Sequence, residues 1–243
     1  MVWGQPAIAR PQAGFMQAAD GSFRPVFGLA GNFVSGEPVI GDVVSAGFSG
    51  SYGLVKTETS ITLLDSQGQT LDSWNEPPGP ALFAFTKERK PALVYVFASN
   101  SLLRWSGLQL ATVPLEIQDS VVSMSAPDSE HAALIVQRDD GLWQMQILLA
   151  TGQVESQTAL PDMTVPVFQL ATGDLVSKDD RGLVIHQADN QLVHIPAQLP
   201  DSFWLQQMGA GWLQLRDIAN GIDFAVRIEK GSEQFYELPG VQP

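Results

Sequence analysis

The stretch that decides the fold is residues 132–160, which read AALIVQRDDGLWQMQILLATGQVESQTAL. An apolar run meets Asp140-Gly141, and a second β-rich run ends at Thr151-Gly152 before a third begins. Asp followed by Gly between such runs is the strongest short signal of a β-hairpin, because a type I′ turn needs positive φ at both central positions. The stretch therefore predicts three antiparallel strands joined by two tight turns.

Breaks of the same kind recur along the whole chain. One residue for each break gives positions 20, 58, 100, 141, 182 and 221, which are 38 to 42 residues apart. A repeat of about 40–45 residues, built from four short strands, is typical of a propeller blade. The spacing predicts six units, at about 3–40, 43–77, 81–117, 119–162, 165–199 and 202–239, which form a single domain over residues 1–243.

With these breaks, the chain resembles the six-bladed β-propellers, an architecture that many secreted bacterial repeat proteins share. Residues 24–31 (RPVFGLAG) are also similar to a segment of uncharacterised bacterial propellers. The resemblance implies an all-β fold of six blades, each a four-stranded antiparallel sheet, with five blades or a β-sandwich as alternatives. The paired motifs of WD40 and kelch blades are missing. Because fold does not fix function, no catalytic residue follows from the resemblance.

Two segments, 128–133 and 201–208, begin like capped helices. We expect the repeat register to override this signal and both segments to supply strands. Four tryptophans fall inside predicted strands, where an aromatic ring fills the space between blades. They are Trp105, Trp143, Trp204 and Trp212, whereas Trp3 and Trp74 lie at strand ends.

Composition excludes several classes of partner. The net charge of −13 and the isoelectric point near 4.4 oppose binding to nucleic acid and to an anionic membrane. The chain has no cysteine, so disulfides, zinc–thiolate sites and thiol nucleophiles are excluded. We expect a monomer without cofactors. The compartment stays open, and a periplasmic or secreted location, with the signal peptide trimmed from this sequence, is one expectation.

Carboxylates in the turns form the candidate binding site. In a propeller, the turn between the second and third strands of each blade opens on the face where ligands usually bind. We expect this face to gather acidic residues and to attract cations or a basic partner, although Asp also suits such turns for its backbone chemistry alone. The candidates are Asp139, Asp140, Asp179, Asp180, Arg181 and Asp217, with Asp20 and Glu58 on the same face.

Histidines offer a weaker candidate for a metal site. His186 and His194 lie on adjacent predicted strands. A two-residue loop at Asp189-Asn190 would place them on opposite faces of the sheet, and a three-residue loop would place them on the same face. Because a carboxylate would still be needed from elsewhere, a structural pair without a metal is the preferred interpretation.

Two functions of different classes remain. The first is a non-enzymatic scaffold whose face binds a protein, a peptide or a carbohydrate, and we favour it because the short turns leave little room for a convergent polar site and no acid/base constellation is visible. The second is a hydrolase or lyase with carboxylates, and a divalent metal, at the mouth of the central channel. The side chains that line the channel discriminate between them. Acidic residues and histidines would favour the enzyme, and aliphatic residues the scaffold.

Overall fold

A computed structural model describes residues 10–86, 92–115 and 117–240. Within these ranges, 23 β-strands form six antiparallel sheets, and the helical content is one 3-10 turn at Phe97–Ser99. The sheets follow one another along the chain, and each falls within one predicted unit. The fold is a six-bladed β-propeller, which confirms the predicted fold class over the five-bladed and sandwich alternatives.

Five blades have four strands, and blade 1 has three in the part of the chain that the structure describes. The strands are, for blade 1, β1 (Gln12–Gln17), β2 (Phe23–Leu29) and β3 (Asn32–Ser35); for blade 2, β4 (Val43–Phe48), β5 (Gly53–Thr57), β6 (Ser60–Leu64) and β7 (Thr70–Asn75); for blade 3, β8 (Ala81–Phe85), β9 (Ala92–Val96), β10 (Ser101–Trp105) and β11 (Leu110–Val113); for blade 4, β12 (Ser120–Ser125), β13 (His131–Arg138), β14 (Gly141–Leu148) and β15 (Gln153–Leu160); for blade 5, β16 (Phe168–Gln169), β17 (Leu175–Asp179), β18 (Gly182–His186) and β19 (Leu192–Pro196); and for blade 6, β20 (Phe203–Gly209), β21 (Trp212–Asp217), β22 (Asp223–Arg227) and β23 (Gln234–Glu237).

Six clusters of buried apolar side chains hold the blades together, one between each pair of neighbours. The rings of Phe15 and Phe48, for example, pack 4.6 Å apart between blades 1 and 2. Another cluster joins Met16 of blade 1 to Met208 of blade 6, so the ring of blades is closed. Each fully buried side chain of this kind contributes about 1.5–3 kcal/mol.

Blade 1 differs from the others in the direction of its first described strand. Gly14, near the start of β1, packs against the main chain of Met208 at the end of β20. At the other end of β1, the side-chain Nε2 of Gln17 donates to the carbonyl oxygen of Val43, where β4 begins (2.7 Å). β1 therefore runs opposite to the innermost strands β4 and β20 on either side. The three described strands of blade 1 take the second, third and fourth places in the blade.

The side-chain amide of Gln214 takes over the pairing that an innermost strand would give to the end of β1. Its Oε1 accepts the main-chain N–H of Gln17 (2.9 Å), and its Nε2 donates to the carbonyl oxygen of the same residue (2.8 Å). Arg216 adds hydrogen bonds to the carbonyl oxygens of Gln17 (2.8 Å) and Ala18 (3.2 Å). Blade 6 thus satisfies main-chain groups of blade 1 that would otherwise be buried without partners.

A short repeated motif joins inner strands of neighbouring blades. Val-Val-Ser occurs at 43–45 and again at 121–123, two units later, and each copy contains a β-bulge. The hydroxyl of Ser45 accepts the main-chain N–H of Ala81 (2.9 Å), and that of Ser123 accepts the N–H of Gln169 (2.9 Å). The bulge points the serine toward the next blade, where its hydroxyl oxygen accepts a main-chain N–H of that blade's innermost strand.

Both segments that begin like capped helices supply strands, as the repeat register predicted. Asp128 accepts the main-chain N–H groups of Glu130 and His131, so its capping signal belongs to a turn before β13. The segment that starts at Asp201 leads directly into β20. Trp3, predicted to lie at a strand end, falls outside the described residues.

Candidate binding face and central cavity

The innermost strands enclose a cavity of about 610 Å³ around the propeller axis. β4, β8, β12 and β20 line it, together with residues 165–168 of blade 5, and blade 1 contributes Gln17. Its volume lies in the range of ligand pockets, about 300–1,000 Å³.

No charged side chain lines this cavity among the residues that the structure describes. Most of the wall is apolar, with Val44, Leu82 and Val122 as examples. The polar groups are serines and glutamines, and several are bonded to the protein: Ser45 and Ser123 accept main-chain N–H groups, and Gln17 and Gln206 donate to internal acceptors. The wall therefore fits an uncharged, largely apolar group, since burying a charge there would leave it without a partner.

The mouth of the cavity lies on the face where the innermost strands begin. Phe97, in the turn after β9, and Val165 line it and are 39% and 45% exposed. The ring of Trp204 also lines the cavity, with the Arg216 guanidinium carbon 5.5 Å from its centre. Trp204 is thus a cavity residue, whereas Trp105, Trp143 and Trp212 pack into the cores between blades, as predicted.

All six predicted site residues lie on this same face, because each lies in the turn between the second and third strands of its blade or at the strand end just before that turn. We call it the binding face. Asp139 and Asp140 occupy the turn between β13 and β14, and Asp180 and Arg181 the turn between β17 and β18; these four are exposed. Asp179 is half-buried and Asp217 is buried.

Several of these carboxylates are bonded within their own turns. Asp217 accepts the N–H groups of Ala219 (2.9 Å) and Asn220 (3.1 Å) and the Asn220 side-chain amide (2.6 Å). The Asn220 side-chain amide, helped by these backbone N–H groups, lowers the pKa of Asp217 below its ordinary value. The backbone N–H of Arg181 donates to Asp179 Oδ1 (2.9 Å) and lowers the pKa of Asp179 in the same way. Turn chemistry accounts for these two residues without a ligand.

The exposed carboxylates are arranged differently. Asp140 accepts the indole N–H of Trp143 (2.9 Å), and that indole ring stacks under the Arg138 guanidinium, 5.0 Å from the ring centre. Asp139 and Asp180 are exposed to solvent. These residues give the periphery of the binding face a negative potential around an uncharged centre.

The loop between the strands of the histidine pair has three residues, 188–190. Gln187 and Gln191 close the loop, which places His186 and His194 on the same face of blade 5. The ring of His194 lies between Asp179 (Nδ1 to Oδ2, 3.1 Å) and Arg181 (Nε2 to a guanidinium nitrogen, 2.8 Å), and burial lowers the pKa of His186. In the ranges that the structure describes, no three His, Asp or Glu side chains form a group that could hold a metal ion.

Sequence reasoning did not find the cavity wall. A signal was present in the Val-Val-Ser repeat, whose 78-residue separation equals two units and marks corresponding positions on β4 and β12. The other wall positions carry no shared motif, because an uncharged apolar wall can be built from many residue types.

No protein-family model and no curated protein matches this chain. Among solved structures, it is similar to one in a crystal structure of a nidogen/laminin complex, with a TM-score of 0.58 and 10% identity over 94% of this chain and 98% of that chain. A protein of unknown function from Bacteroides caccae gives a TM-score of 0.57 and 12% identity, over 95% and 99% of the two chains. TolB from Acinetobacter baumannii gives 0.53 and 13%, over 93% of this chain and 66% of that one.

At these identities the likeness concerns the fold alone. In the described part of the chain, no helix is long and apolar enough to cross a membrane.

Proposed function

We propose that this protein is a non-enzymatic scaffold that binds a protein or peptide on the binding face. The observation that carries the proposal is the central cavity, which has the size of a ligand pocket and an uncharged, mostly apolar wall. An apolar side chain of the partner enters the cavity, and basic residues beside it meet Asp139, Asp140 and Asp180 on the periphery. The net charge of −13 steers such a partner toward the protein.

The hydrolase or lyase alternative receives no support from this arrangement. It requires carboxylates at the mouth of the central channel, and the described cavity wall carries serine and glutamine as its polar side chains. Neither group is a general acid or base at neutral pH.

The six units act as one domain in this proposal, and the protein acts as a monomer in the periplasm or outside the cell. The closed ring of apolar clusters supports a single domain, because each blade buries its faces against two neighbours. Light scattering on the purified protein tests the monomer, and fractionation of the native cells tests the compartment.

The binding proposal is tested by selecting a random peptide library on the wild-type protein and measuring the affinity of the enriched peptides. We expect sequences with an aliphatic or aromatic residue beside Lys or Arg. Val122→Arg, which places a charge in the cavity wall, should weaken their binding by about 100-fold, which corresponds to about 2.8 kcal/mol. Leu108→Arg is the matched control, because Leu108 is 92% exposed and belongs to the turn between β10 and β11, on the opposite face.

Two results would overturn the proposal. One is a set of enriched peptides that bind Val122→Arg as tightly as the wild type, with both proteins folded by circular dichroism. The other is enrichment of acidic or glycan ligands in place of basic, apolar peptides when a glycan array and the peptide library are compared.

A further inference from the structure

A second cavity, of about 580 Å³, lies between blades 5 and 6. It exists because the innermost strand of blade 5, β16, has only two residues, so that β16 and β20 make little contact with each other. The turns around it, at 170–174, 187–191 and 228–232, join first to second and third to fourth strands. This blade 5–6 pocket therefore opens on the face opposite to the binding face.

The inside of the blade 5–6 pocket is apolar, with one polar group that has no partner. Leu170, Ile185, Leu213 and Ile228 are among its lining residues. Gln187 also lines it; its Oε1 makes no hydrogen bond, but it has almost no accessible surface, so a ligand in the pocket does not reach it in this side-chain position. A ligand inside the pocket therefore makes apolar contacts, and the charged groups lie at its edge.

Two carboxylates lie at the edge of the pocket without a cation. Asp174 accepts the N–H of Ala188 (2.9 Å) and the hydroxyl of Thr172 (2.8 Å), and Asp189 accepts the N–H of Gln191 (3.1 Å). Neither belongs to the ion pairs found among the described residues. A third carboxylate, Glu229, is already paired with Arg227 (2.5 Å), and Lys230 is the single cation of the lining.

We propose that the blade 5–6 pocket binds a hydrophobic amine. The apolar body of the ligand packs on the inner side chains, and its ammonium group lies in the field of Asp174 and Asp189. An ammonium group fits this edge, because it is a cation at neutral pH. A carboxylate ligand would instead face two like charges. The pocket opens on the face opposite to the binding face and shares Phe168 and Gln207 with the wall of the central cavity, and its proposed ligand does not depend on the proposed function of the binding face.

The test compares three probes that share a phenyl ring: 2-phenylethylamine, 2-phenylethanol and 3-phenylpropionate. Binding is followed by amide chemical shifts of the labelled full-length chain. We expect the amine to bind with a Kd of about 1 mM or tighter, and about tenfold more tightly than the alcohol. Asp174→Asn with Asp189→Asn should remove most of this preference, since Asn keeps an acceptor oxygen but not the charge.

Ala188→Trp, which fills the mouth of the pocket, should abolish amine binding. Ala111→Trp is the control, because Ala111 is an exposed alanine on β11 of another blade. The proposal fails if no probe binds at a probe concentration of about ten times the expected Kd. It also fails if 3-phenylpropionate binds as tightly as 2-phenylethylamine, or if amine binding survives in Ala188→Trp.

Discussion

Lys56 is the residue whose environment is least expected for its type. The side chain is 0% exposed, between blades 2 and 3, and its Nζ donates to the carbonyl oxygen of Thr57 (2.6 Å). No carboxylate forms an ion pair with it among the described residues. Burial lowers the pKa of Lys56 below its ordinary value of 10.5, and Glu58 and Glu76 offset part of this effect.

Lys56→Met should therefore stabilise the protein. At pH 7 we expect the melting temperature to rise by about 2–4 °C, the shift that about 1 kcal/mol gives in a chain of this size. Between the lowered pKa and 10.5 the unfolded wild type binds more protons than the folded protein, so wild-type stability rises with pH in that window. The advantage of Lys56→Met should shrink accordingly as the pH approaches 10.5. Lys230→Met, at an exposed lysine, should change nothing, and a lower melting temperature for Lys56→Met would contradict the prediction.

Asp217 is the clearest case of a carboxylate held by its own turn. Because its pKa is lowered in the folded state, its contribution to stability is complete above the ordinary value of 3.8 and is lost as the pH falls through the lowered pKa. We expect Asp217→Ala to lower the melting temperature at pH 7, since the N–H groups of Ala219 and Asn220 lose their acceptor. The deficit relative to wild type should diminish below pH 3.8.

Thermal unfolding of Asp217→Ala from neutral to acid pH checks this. Asp139→Ala is the control, because Asp139 occupies a comparable turn but is exposed. Equal effects of the two substitutions at pH 7 would show that the carboxylate of Asp217 has no special part in its turn.

Among the elements, β1 and β21 carry the closure of the ring. Gln214 is 0% exposed and pairs with both main-chain groups of Gln17, 197 positions away, and with Asp223 (2.6 Å). Because the ring closes through side chains of β21 at this point, the stability of the whole propeller depends on them.

Gln214→Leu should destabilise the protein by about 2–4 kcal/mol, because it leaves buried main-chain groups of Gln17 without one of their partners. Urea unfolding followed by tryptophan fluorescence measures this loss. Gln146→Leu is the matched control on an exposed position of β14, where we expect a change within about 0.5 kcal/mol. If the two variants unfolded at the same urea concentration, the amide of Gln214 would not be a closing contact.

For the molecule as a whole, the dominant electrostatic property is a net charge of −13. Repulsion among carboxylates opposes the compact state, and salt screens it. We therefore expect the melting temperature of the wild type to rise between about 20 mM and 300 mM NaCl. Asp139→Lys with Asp180→Lys changes the net charge by four units, to −9, and should reduce the rise. A melting temperature that falls with salt would show that ion pairs outweigh the repulsion.

The sequence by itself determined the number of blades and the positions of their turns. Gly141 and Gly221 adopt positive φ, which few other residue types do, so they mark the chain locally and with a regular spacing. Asp140 does not adopt positive φ, so the turn before β14 is not the type I′ turn that Asp140-Gly141 predicted. The face that carries Asp139, Asp140 and Asp180 follows from the same spacing, because antiparallel strands return each equivalent turn to one side.

The tertiary structure alone decided what the strands enclose. The central wall takes residues from each blade, the blade 5–6 pocket depends on the shortness of β16, and Gln214 meets Gln17 only when the ring closes. These contacts join residues tens to hundreds of positions apart, and apolar packing accepts many residue types at each position. A local pattern in one chain therefore cannot specify which distant side chains meet, and only the closed propeller does.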